Sequence, residues 1–179
     1  WTFTTAKMDP TRRRAVAFGY NGYIYSLAGY TNVTTSSLQD LLFAKVNVTS
    51  GDVAGAVATP TKFDSSGVVV TPRWDLRAIA SNGYVYAIGG CGTGSAPDGC
   101  TTMQPEIQTF QLYNNDSGTP IGYSPSANQF TTDRFGGSSA IVGGYLYVAG
   151  GCLTIVCTTA GVGITDSVQY ASIDTYGNL

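Results

Sequence analysis

Hydrophobic and polar positions in this chain alternate with period two over short runs, and no stretch of eleven residues shows helical periodicity. Three runs share one motif. A turn dipeptide, Asn21-Gly22, Asn82-Gly83 or Gly143-Gly144, is followed each time by Tyr-apolar-Tyr, and successive copies lie 61 residues apart. Arg12, Arg73 and Arg134 open the three copies at the same spacing. A fixed period of this size marks a protein built from copies of one supersecondary unit.

Each copy reads as four strands. The first, such as 15–18 or 139–142, ends at the two-residue turn, whose Asn and Gly accept the positive φ that tight hairpins need. The second strand covers 23–27, 84–88 or 145–149 and is dominated by aromatic and β-branched residues. It closes on Ala28-Gly29, Gly89-Gly90 or Gly150-Gly151, where glycine admits a close backbone neighbour. A long loop leads to the third strand, 42–46, 107–112 or 168–173. Turns containing Gly51, Gly118 and Gly177 follow, and a fourth strand runs toward the next arginine. The expected fold is all-β: a β-propeller of four-stranded antiparallel blades, three of them within residues 1–179.

The succession Arg, apolar strand, Asn-Gly, Tyr-Ile-Tyr, Gly-Gly resembles the kelch repeat. The segment Tyr170-Ala171-Ser172-Ile173-Asp174-Thr175-Tyr176-Gly177-Asn178-Leu179 is similar to the Y-A-x-I-x-x-x-G-x-L stretch of extracellular kelch-type repeats in bacteria and archaea. The resemblance spans all three copies and implies a propeller. The chain departs from it at Ala28, at Tyr123 where those repeats carry Trp, and over 52–72, which has no clear equivalent. Kelch-type copper oxidases bind their metal through histidine. This chain has none, so that activity is not implied.

Trp1 precedes Arg12 by the same eleven residues that separate Tyr123 from Arg134. The phase predicts a chain that starts inside a blade, as a piece of a longer multi-blade protein or as a subunit joined head to tail. In the second case residues 1–8 supply the outer strand of a blade formed by 134–179 of a preceding copy or chain segment. Trp1, Phe3, Tyr170 and Ile173 are the assembly residues of that scheme, and the product is a six-bladed ring of two copies or a filament.

Composition narrows the function. Charged residues are 11% and the formal net charge is −2, without a basic patch, so nucleic acid is not an expected partner. No run of 18 apolar residues suggests a membrane span. The absence of histidine removes His-based triads, general bases and metal ligands. The eleven carboxylates include several in turns, and Asp75 and Asp133 lie beside arginines, so they read as structural. No enzyme activity and no cofactor are expected.

The four cysteines form two local pairs, each starting after Gly-Gly. Free thiols or a metal are alternatives, but disulfides Cys91–Cys100 and Cys152–Cys157 are the preferred reading, and they imply an oxidising compartment. Sequons at Asn32, Asn47 and Asn115 mark candidate glycan sites. Arg12, Arg73 and Arg134 are expected to lock adjacent blades through their fixed donors. Tyr30, Tyr113 and Tyr123 are the aromatics expected at the surface. The long loops 30–39, 91–106 and 152–166 should emerge on one face, where variable loops on a rigid scaffold place binding. The functional expectation is an extracellular or cell-surface structural protein that assembles with its own copies or adjoining blades. The alternative is a propeller domain binding glycan or protein through the long-loop face.

Overall fold

A computed structural model describes residues 2–31, 36–54, 62–68, 70–95, 99–112, 118–124, 131–155, 157 and 163–179. Among the described residues there is no helix, and every sheet is antiparallel. The first sheet holds β1 (Val16–Tyr20), β2 (Tyr23–Thr31), β3 (Ser36–Val46) and β4 (Val53–Ala54) in sequence order, and β5 (Asp64–Val68) also pairs with β3. The second holds β6 (Arg77–Ser81), β7 (Tyr84–Ile88), β10 (Ile107–Leu112) and β11 (Pro120–Ser124). A separate hairpin, β8 (Cys91–Ser95) and β9 (Gly99–Met103), is inserted between β7 and β10. The third sheet holds β12 (Ser138–Val142), β13 (Tyr145–Ala149) and β14 (Val168–Ser172). No sheet closes on itself among the described residues.

The three hairpins that open the sheets are superimposable in register. Tyr20 faces Tyr23, Ser81 faces Tyr84 and Val142 faces Tyr145 across the two-residue turns. Asn21 and Asn82 take φ of 46° and 50°, the left-handed conformation that asparagine adopts more readily than most residues. The fourth strand varies most. It is split into β4 and β5 in the first repeat and is continuous as β11 in the second. The stretch 52–72, longer than the one that carries β11 in the second repeat, holds both pieces.

The core lies between sheets. Tyr23, Tyr25, Leu27, Leu41 and Phe43 of the first repeat pack against Leu76, Val85, Ala87, Phe110 and Leu112 of the second. Tyr86, Ile88 and Ile107 of the second pack against Leu146 and Val148 of the third. Period-two alternation gives each sheet two apolar faces, one for each neighbour. Strands β1, β6 and β12 touch in that order, so the first strand of each repeat adjoins the first strand of the next.

Candidate functional site

Two backbone links join each repeat to the next. The amide of Gly29 donates to the carbonyl of Arg73 at 2.9 Å, and the amide of Gly90 donates to that of Arg134 at 3.1 Å. The amide of Asp75 donates to the Arg14 carbonyl and that of Gly136 to the Asp75 carbonyl, both at 3.0 Å. The second glycine of each pair is required by crowding within its own repeat. A Cβ on Gly29 would stand 2.9 Å from the Arg13 carbonyl oxygen, and one on Gly151 would stand 2.8 Å from that of Phe135. Gly89 and Gly150 occupy the same left-handed φ as Ala28.

The sequence reading has the repeat arginines locking adjacent repeats; their described side-chain contacts are mostly to the strand ends of their own repeats. Each guanidinium reaches the strand end of its own repeat, and Arg73 also reaches Thr71 in the stretch that precedes it. Arg12 reaches the Ala28 carbonyl and both carboxylate oxygens of Asp40. Arg73 reaches the carbonyls of Thr71, Gly89 and Glu106 and the Glu106 carboxylate. Arg134 reaches the carbonyls of Gly150 and Ser167 and the Ser167 hydroxyl. The left-handed turn at the first residue of Ala28-Gly29, Gly89-Gly90 or Gly150-Gly151 aims a carbonyl inward, and a buried carbonyl needs a donor. The inter-repeat link is therefore made by the arginine backbone, while its side chain closes the strand end behind it. Burial pulls the Arg134 pKa below its ordinary value.

Glycines of the turns after β3 and β10 and of the turn after β14 were legible in the sequence, but their partners were not. Gly118 lies against the ring of Tyr23, where a Cβ would stand 2.7 Å from ring carbons, and its carbonyl accepts from the Tyr25 hydroxyl at 3.1 Å. Gly177 lies against the ring of Tyr84 in the same way. Each turn thus seats on the Tyr-apolar-Tyr strand of the preceding repeat. Gly51 has no atom within 4 Å of the position a Cβ would take. Burial pushes the hydroxyls of Tyr25 and Tyr86 up to about 12.

The third repeat presents the same aromatic face uncovered. Tyr145 is 42% exposed and Tyr170 is 69% exposed, whereas their counterparts Tyr23 and Phe43 in the first repeat are each 3% exposed. Tyr145, Tyr147 and Tyr170 pack on one another with centroids 5.8 to 6.4 Å apart. Val142 and Val168 extend the exposed apolar surface. Of the other assembly residues, Phe3 is fully exposed. Ile173 instead packs into the cluster between the second and third repeats, so it belongs to an internal seam. Trp1 lies outside the described residues.

The N-terminal segment is also placed differently from the expectation. The Ala6 amide donates to the Val53 carbonyl, and the Phe63 amide donates to the Lys7 carbonyl. The Thr5 amide and hydroxyl both donate to the Asp52 carboxylate, which holds its pKa below the ordinary value. Residues 5–7 therefore complete the edge of their own first repeat rather than a strand of 134–179. The physical reason is that β4 spans only two residues and leaves backbone groups next to it for a nearby segment to satisfy.

Both disulfides join the cysteines paired by the sequence reading, with Cα separations of 5.7 Å for Cys91–Cys100 and 5.8 Å for Cys152–Cys157. They fit an oxidising environment. Cys91 and Cys100 are buried with Tyr30 and Trp74. Tyr30 is thus a core residue and not the surface aromatic expected, with the Arg13 guanidinium 5.4 Å over its ring. Tyr113 and the side chain of Tyr123 lie outside the described residues. So do Asn32 and Asn115. Asn47 stands in an exposed turn, its side-chain oxygen accepting from the amides of Thr49 and Ser50, so the engaged atom is not the nitrogen that carries a glycan.

Four carboxylates are held in ion pairs: Asp40 by Arg12, Glu106 by Arg73, Asp75 by Arg14 and Asp9 by Lys62. Asp174 accepts from the Asn178 side chain and amide and from the Tyr176 amide, and its pKa falls below the ordinary value. Among the described residues no group of three His, Cys, Asp or Glu could hold a metal ion, and no helix is long and apolar enough to cross a membrane. Comparison with models of known protein families finds no match, and comparison with curated proteins finds none either.

Proposed function

We propose that this chain is an extracellular structural subunit, a kelch-like β-propeller array that continues through other copies of itself or adjoining blades. The observation that carries this reading is the uncovered Tyr145–Tyr147–Tyr170 face of the third repeat, whose counterparts in the first repeat are buried by the repeat that follows. A contiguous apolar surface rimmed by polar residues marks an interaction site. Three sheets in 61-residue phase, with β1, β6 and β12 adjoining in order, support radial blades. The disulfides and the exposed Asn47 sequon support an extracellular or cell-surface location. Electron microscopy of native material and light scattering across a concentration series test the reading. Fibres or closed rings support it, and single-copy particles at every concentration overturn it.

A second reading is recognition of glycan or protein by the long-loop face. It is favoured by the β8–β9 hairpin, which is stapled by Cys91–Cys100 and held to the extended β3 by a 2.8 Å bond from the Ser37 hydroxyl to the Gly92 carbonyl. Preorganised projections of this kind lose little entropy on binding. A glycan array tests it directly.

A further inference from the structure

The internal seams between repeats follow one rule, and both halves of a third such seam are present on the chain. In the first seam the Gly118 turn seats on Tyr23 and Tyr25; in the second the Gly177 turn seats on Tyr84. Gly51 is the third turn glycine, with φ of 73° beside 69° for Gly118 and 76° for Gly177, yet no ring lies within 4 Å of where its Cβ would stand. Tyr145 is the third tyrosine of the series, and it is exposed. The turn without a ring and the ring without a turn lie on the first and third repeats.

The remaining surfaces match. Opposite the Tyr23–Tyr25 face, the first repeat carries a row in which buried Ala6, Ala44 and Val53 are flanked by half-buried Ile24, Val46 and Phe63. This is the face that, in the second repeat, presents Val85, Phe110 and Leu112 to the first. Extending the backbone links by one repeat sets the amide of Gly151 opposite the carbonyl of Arg12, as Gly29 stands to Arg73 and Gly90 to Arg134.

We infer that the third repeat of one copy docks the first repeat of a second copy of this chain, with the Gly51 turn seated on Tyr145 and Tyr147. The inference rests on the assembly reading above and names its partner and contact. The join is heterologous, so repeated use closes a ring or extends a fibre according to the rotation between copies.

Two variants test it. Gly51→Asn keeps the left-handed backbone, which asparagine tolerates, in a position with open space around it, but puts a side chain where the ring must sit. Tyr145→Ser removes the ring from an already exposed position. Circular dichroism checks that each variant is folded, and light scattering reads association. The wild-type chain should associate, and each variant alone should associate at least about tenfold more weakly, a shift of about 1.4 kcal/mol. An equimolar mixture should restore two-copy particles, because Gly51→Asn retains the ring and Tyr145→Ser retains the turn. If the wild-type chain stays monomeric, the assembly reading itself fails. If it associates and both variants associate equally well, or the mixture behaves as either variant alone, assembly stands and this contact is wrong.

Discussion

The Arg14 guanidinium and the Asp75 carboxylate meet at 2.8 Å although they occupy the same position in successive repeats. Both backbones are left-handed, with φ of 55° and 51°, and the guanidinium also lies 4.7 Å over the ring of Trp74. The seam between the first two repeats is therefore specified by unlike residues at like positions. Asp75→Asn should preserve the backbone. The pair is about a quarter exposed on each side, so the loss should be about 0.5–1 kcal/mol in urea unfolding. A double-mutant cycle with Arg14→Gln should return a coupling of similar size.

The buried arginines should rank by the charge of their partners. Arg73→Gln removes the cation from the partly exposed Glu106 carboxylate, which keeps donors from Thr71 and Gln108, and a donor from the carbonyls of Thr71, Gly89 and Glu106, and should cost about 3 kcal/mol. Arg134→Gln leaves the neutral partners Gly150 and Ser167, and should cost about 1–2 kcal/mol. Equal losses in denaturant unfolding would contradict the ranking.

The disulfides should open in a fixed order. Cys157 is exposed, while Cys91 and Cys100 are buried beside Trp74. Graded reduction followed by alkylation and mass spectrometry should label Cys152 and Cys157 first. Loss of either bridge should lower stability by about 2–3 kcal/mol in the entropic account.

Alkaline titration should separate the tyrosines by burial. Tyr25 and Tyr86 are raised to about 12 by desolvation, so they hold their protons longer in the folded chain than in the unfolded one. Their contribution to stability is complete below pH 10 and is lost as pH rises from 10 through 12. Ultraviolet difference spectra should show both ionising late, and denaturant should bring them into line with the exposed tyrosines.

Asn47 should carry a glycan when the chain is made in a glycosylating host. Intact mass before and after glycosidase should differ, and Thr49→Ala should remove the Asn47 share of that difference while leaving the fold intact.

Residues 5–7 show why some of the architecture was unreadable. Their distance to Arg12 matches a strand of another blade, which places them in a blade of a preceding copy or chain segment. Their actual partners are Val53 and Phe63, made available because the stretch 52–72 splits the fourth strand of the first repeat. An irregular insertion carries no periodic signal, so its effect on the neighbouring edge appears only in three dimensions.

What the sequence by itself determined is what neighbouring residues enforce: the 61-residue phase, the hairpins at Asn21-Gly22, Asn82-Gly83 and Gly143-Gly144, the strands beside them, and the pairing of cysteines five and nine residues apart. Turn conformation and side-chain alternation act over a few residues, so they are written locally. What only the tertiary structure decided is where each repeat meets the next: Gly118 on Tyr23, Asp75 on Arg14, and the repeat guanidiniums turned inward to Ala28, Gly89 and Gly150. Those contacts arise because two-faced apolar sheets must stack to leave water, and stacking brings together residues whose separation along the chain carries no local pattern.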